Sequence, residues 1–133
     1  RHWQWVVTVI CAVPGGMLLN AFLKLVFHRV RTTLSDLAAT LDSYSFPSGH
    51  VMAATLLYGV AAAYVVATSA SRGWRISGVL VALLLVALVA FSRVYLGVHY
   101  LSDVLAAAAA GAAWAGLCQL AVDALSRRRS RRN

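Results

Sequence analysis

Three short runs of this sequence carry side chains suited to chemistry on an anion, and each sits against apolar surroundings. Residues 92–103 read Ser-Arg-Val-Tyr-Leu-Gly-Val-His-Tyr-Leu-Ser-Asp, which sets a cation (Arg93), an imidazole (His99) and a carboxylate (Asp103) between long hydrophobic stretches. His99 and Asp103 are four residues apart. With Gly97 as a turn and a helix beginning near His99, that spacing places them on one face. A carboxylate bonded to one ring nitrogen fixes the tautomer and makes the other nitrogen a better base or nucleophile. A His/Asp pair can also bind a metal, but no third carboxylate or Cys stands nearby at ligand spacing.

The second run, Pro47-Ser48-Gly49-His50, opens an apolar stretch. A helix start presents unpaired N–H groups and the positive end of the helix dipole, which favours anions. Gly49 permits close approach of backbone to a ligand. Ser48 is suited both to capping the helix and to donating to an oxygen. The third contribution is positive charge from Lys24, Arg31 and Arg93; Arg matches phosphate through paired donors, and Lys acts as a compact charge. For Lys24 taken singly, snorkelling to an interface explains the residue as well. His28 and Arg29 read as solvated interfacial groups, and His2 as terminal.

The elements that must position these groups are membrane helices. Of the 133 residues 61% are hydrophobic and 12% charged, more apolar surface than a small soluble domain can hide. Apolar runs cover about 3–27, 48–68, 76–96 and 101–125. Each reaches the roughly 20 residues of a helical crossing, whereas a membrane strand needs about ten with alternating polarity. The expectation is an all-α polytopic bundle of four spanning helices. Pro14-Gly15-Gly16 interrupts the first run, where a membrane helix tolerates a kink. Residues 29–47 form a polar loop, with a short interfacial helix expected over 34–41, and residues 71–75 a tight connection. The small residues of 106–113, with Gly111 and Gly116, offer a face for close helix packing.

Charge sets the orientation. The net charge is +8, with twelve Lys plus Arg, four Asp and no Glu. Five arginines crowd into 127–132, next to a hydrophobic segment, which reads as an anchor at anionic lipid rather than a nucleic-acid surface. Four crossings put Arg1, Arg72, Arg75 and this tail on one side, cytoplasmic by the positive-inside rule, with Trp3, Trp5 and Trp74 as its aromatic belt. Lys24, Arg31, Ser48, His50, Arg93, His99 and Asp103 then fall together on the other face. Cys11 and Cys118 lie within apolar stretches and read as buried thiols. Three basic groups, two imidazoles, a carboxylate and a helix start on one face make a site for phosphoryl transfer by positioning and electrostatic stabilisation.

These runs resemble the motifs of the type-2 phosphatidic acid phosphatase superfamily, whose fold is shared with vanadium haloperoxidases. Its three motifs are Lys-x6-Arg-Pro, Pro-Ser-Gly-His and Ser-Arg-x5-His-x3-Asp. The second is complete at Pro47, Ser48, Gly49 and His50, and the third at Ser92, Arg93, His99 and Asp103. The first is met by Lys24 and Arg31, with Thr32 in place of the usual Pro, a change that removes the fixed φ after Arg31. The resemblance implies that His99 is the nucleophile, that Asp103 orients it, and that His50 protonates the leaving oxygen. It implies that Lys24, Arg31, Arg93, Ser48 and the Gly49 N–H hold phosphate oxygens, with no metal or cofactor.

The implied activity is hydrolysis of a lipid phosphomonoester or pyrophosphate at the outer face of a plasma membrane. The candidates are phosphatidic acid, phosphatidylglycerol phosphate and polyprenyl pyrophosphate. Partners are the lipid substrate and membrane lipids, with no nucleic acid. A lipid phosphotransferase would use the same residues, and a non-catalytic anion-binding membrane protein is the reading from another class. Membrane members of the family have six spanning helices with the site on the last four. Residues 1–133 are therefore expected to be one membrane-embedded phosphatase domain corresponding to that catalytic part, with two helices upstream.

Overall fold

A computed structural model describes residues 2–30 and 44–130 of the chain. Four helices make it up: α1 (His2–Phe27), α2 (Gly49–Thr68), α3 (Arg72–Tyr95) and α4 (Leu101–Ser130). All four are long and apolar enough to cross a membrane. The helix expected over 34–41 lies outside the described residues, as do Arg31 and Thr32.

Neighbours in the chain run antiparallel. Ser69 to Ser71 joins α2 to α3, and Leu96 to Tyr100 joins α3 to α4. Trp5, near the start of α1, meets Tyr64, near the end of α2, edge to face at 5.3 Å. Asn20, near the end of α1, donates from Nδ2 to the Pro47 carbonyl just before α2 (3.4 Å). The end of α1, the start of α2, the end of α3 and the start of α4 therefore share one end of the bundle. α2 packs against each of the other three helices and α1 also against α4, while α3 and α4 touch least.

Pro14 does not break α1, which runs continuously through it. Pro14, Cys11 and much of the rest of the helix are exposed. Gly16 earns its place at the contact with α2, where a Cβ would collide with the side chain of Leu56. Gly111 makes a close approach of α4 to α2, with Thr55 Cβ in tight contact 3.2 Å from where its own Cβ would stand. Gly116, grouped with Gly111 in the sequence, faces open space. Between membrane helices, packing and polar contacts replace the hydrophobic effect, so such close approaches carry much of the association.

The buried cluster is Val51, Met52, Leu56, Val104 and Ala107. It lies under the first turns of α2 and α4, directly beneath the end of the bundle that carries the polar motifs. α3 buries no residue fully, and Leu80, Leu83, Leu84 and Phe91 are each more than half exposed. An apolar face of that extent suits hydrocarbon, not water.

Candidate functional site

The third motif is shaped by how α3 ends. Leu96 closes the helix and Gly97 follows with φ 65°, in the left-handed region that favours glycine. Val98 N–H donates to the Arg93 carbonyl (3.3 Å) and Gly97 N–H to that of Val94 (2.9 Å). This pair of bonds is a Schellman motif, which satisfies the last carbonyls of the helix and reverses the chain. Arg93 sits in the last turn, where the helix dipole favours a cation, and its Nε donates to Ser92 Oγ at 3.2 Å.

The reversal delivers His99 just ahead of α4, which begins at Leu101. His99 and Asp103 thus meet by a different route from two positions on one helix face. Asp103 is the third helical residue, and its Oδ2 accepts from the Tyr100 N–H at 2.9 Å. That is the carboxylate half of a capping box. The same Oδ2 faces His99 Nδ1 at 3.5 Å, the outer limit of hydrogen bonding. His99 is 5% exposed and Asp103 not at all.

α2 starts against this pair. The Ser48 backbone N–H donates to the carbonyl of Asp103 at 3.1 Å, which ties the second motif directly to the third. Ser48 occupies the cap position, yet its hydroxyl does not cap the helix. Its Oγ is buried with no hydrogen-bond partner among the described residues, so the cap expected from sequence is absent and the hydroxyl is left for another oxygen. The missing side chain of Gly49 faces Asn20, whose Oδ1 lies 3.4 Å from where a Cβ would be. His50, in the first turn of α2, is exposed.

Lys24, half-buried in the last turn of α1, donates from Nζ to the Tyr44 carbonyl at 2.8 Å. Ser48 is bonded to Asp103 through the backbone, and the His99 ring stands beside the Asp103 carboxylate; Lys24, His50 and Arg93 stand at the same end of the bundle. Arg31 falls outside the described residues.

Two residues passed over as chemistry in the sequence belong here. Arg29 Nη1 donates to Asp103 Oδ1 (3.0 Å) and to Ser102 Oγ (2.7 Å), and its guanidinium lies 4.4 Å from the centre of the Tyr100 ring. Asn20 is 3% exposed and bonds across to Pro47 and to Met52 Sδ. Both had a signal. A carboxylate buried beside apolar helices demands a cation, and a lone Asn inside a membrane span demands a polar partner.

The model of the PAP2 superfamily matches residues 5–127. The chain belongs to the PAP2 superfamily. It is also 40% identical over 94 residues to phosphatidylglycerophosphatase B of Bacillus subtilis (strain 168), covering 66% of this chain and 43% of that protein. A crystal structure described as the first transmembrane PAP2 type phosphatidylglycerolphosphate phosphatase, from Bacillus subtilis, matches with a TM-score of 0.74 at 32% identity. That match covers 90% of this chain and 58% of the other. The chain spans about half the length of these PAP2 relatives. The family that the motifs resemble is thus the one to which the chain belongs. The all-α bundle of apolar helices expected from the sequence is the fold it has.

Proposed function

We propose that this protein is a lipid phosphate phosphatase that works through a phosphohistidine on His99. The observation that carries the reading is the joint between the two motifs. His99 Nδ1 faces the buried Asp103 carboxylate, and the Asp103 carbonyl holds the Ser48 N–H at the start of α2. An oriented imidazole thereby adjoins a helix N-terminus and a buried hydroxyl that has no partner among the described residues.

In the reaction, Nδ1 turned toward Asp103 keeps Nε2 as the attacking atom. Nε2 forms a bond to phosphorus while the ester oxygen leaves with a proton from His50. Water then attacks the phosphohistidine, gives its proton to His50, and returns inorganic phosphate and free His99. Lys24, Arg31 and Arg93 hold the oxygens of the transferring group, with Ser48 Oγ and the Gly49 N–H beside them. Hydrogen bonds of the His–Asp kind commonly shorten when substrate binds. Every group in this scheme belongs to the chain, and turnover without a metal is the expectation it carries.

The relatives named as phosphatidylglycerophosphatases put phosphatidylglycerol phosphate ahead of phosphatidic acid and polyprenyl pyrophosphate as substrate. A site at a bundle end set in lipid suits an amphiphile, its phosphate among the cations and its acyl chains in the bilayer. The positive-inside rule sets that end on the periplasmic or extracellular face of the plasma membrane, with the arginine-rich tail in the cytoplasm. The test is phosphate release by the full-length protein in mixed micelles containing each of the three lipids. Release that is fastest with phosphatidylglycerol phosphate and unaffected by chelator is expected; no release from any lipid phosphate would overturn the reading.

A further inference from the structure

Arg29 lies in the spacer of the first motif, between Lys24 and Arg31, where the motif specifies no residue type. Its surroundings are nonetheless built at both ends. The chain leaves α1 through His28, whose φ of 46° turns the backbone sharply. Ser45, fully buried, then fastens the residues that follow: its N–H donates to the Arg29 carbonyl (2.8 Å) and its Oγ to the Val30 carbonyl (3.3 Å). The guanidinium stacks on Tyr100 and sends Nη1 to Ser102 Oγ and Asp103 Oδ1. A planar cation held between an aromatic face and two oxygens has little freedom left.

What it holds is one oxygen of the catalytic carboxylate. Arg29 takes Oδ1, so Oδ2 is the oxygen left toward the Tyr100 N–H and the imidazole. A carboxylate with one oxygen fixed cannot rotate away from the ring. The pair also spans the bundle, tying the exit of α1 to the first turn of α4.

We propose that Arg29 is a positioning residue of the phosphatase, acting on His99 through Asp103 rather than on the phosphate. The proposal rests on the His99–Asp103 reading of the site. It distinguishes Arg29 from Lys24, Arg31 and Arg93, which are assigned to the phosphate itself.

The experiment is a double-mutant cycle on the full-length protein with steady-state kinetics on phosphatidylglycerol phosphate. Arg29→Ala should lower kcat roughly ten- to a hundredfold, as loss of a group that orients a catalytic ligand typically does, and change KM less than about threefold. Arg29→Lys should recover part of the loss. In an Asp103→Asn background, adding Arg29→Ala should change kcat by less than about threefold, because the residue through which Arg29 acts is already altered. An unchanged kcat in folded Arg29→Ala, a loss confined to KM, or the full loss repeated in the Asp103→Asn background would overturn the proposal. Should Arg29→Ala fail to fold, Arg29→Lys alone and in the Asp103→Asn background is read by the same criteria. Asp103→Asn at wild-type kcat would instead overturn the underlying His–Asp assignment, a result separable from failure of Arg29 alone.

Discussion

At the end of the bundle where α1 finishes and α4 begins, Asn20, Ser45, Ser48, His99 and Asp103 are all buried. Bonds there cross the chain: Asn20 to Pro47 spans 27 positions and Arg29 to Asp103 spans 74. At the opposite end the side-chain bonds of Thr8, itself buried, and of Thr68, Arg75 and Ser126 run to carbonyls four to six residues away in the chain. Arg72, Arg75, Arg127 and Arg128 are all exposed. Both ends are rich in charge, but one has buried its polar groups and wired helices together with them, while the other leaves its cations at the surface. Burial of polar groups costs free energy unless partners are supplied, and in lipid the alternative to a partner is worse. A protein that concentrates them at one end has a use for them there; the cations at the other end need only an interface.

That contrast can be broken, or sharpened, by substitution. The largest effect is expected from His99→Ala, which removes the proposed nucleophile. Phosphate release should fall by roughly a thousandfold or more, with the variant still folded by size-exclusion profile and helical circular dichroism. Ser48→Ala comes next and separates activity from stability. Among the described residues its hydroxyl has no partner to lose, so the thermal melt should be unchanged while kcat/KM drops by about tenfold, the loss of one donor to a developing charge being worth at least this much. Gly97→Ala forces a side chain into the left-handed region and should destabilise by about 1–2 kcal/mol, seen as a lower melting temperature in detergent. At the opposite end, Arg75→Gln and Arg128→Gln should leave kcat/KM within about twofold, since exposed cations contribute little energetically. A tenfold loss in either would erase the asymmetry.

Much of this was legible in the sequence, for physical reasons. Hydrophobic length alone marks the four crossings, because a bilayer imposes one thickness on every helix. Their alternating direction then gathers Lys24, Ser48, His50, Arg93, His99 and Asp103 at one end. What was not legible depends on local three-dimensional detail. His99 precedes α4 rather than opening it, because the Schellman turn at Gly97 needs residues 96–100 to complete the reversal. Ser48 stands at the cap without capping, a matter of side-chain rotamer. Gly111 and Gly116 look alike in sequence, yet only the first meets another helix. Arg29 was hidden by its neighbours: beside His28 and Arg31, at the exit of a membrane helix, a cation has an ordinary explanation in solvation. Only the fold shows that its guanidinium reaches Asp103.

In the proposed mechanism His99 carries the phosphoryl group during turnover. The full-length protein, mixed with phosphatidylglycerol phosphate bearing a labelled terminal phosphate, can be quenched within the first turnovers and digested. Label is expected on the peptide containing His99, labile to acid and stable to base, and absent from His99→Ala. Turnover with no label on the protein, or label on any other residue, would contradict it.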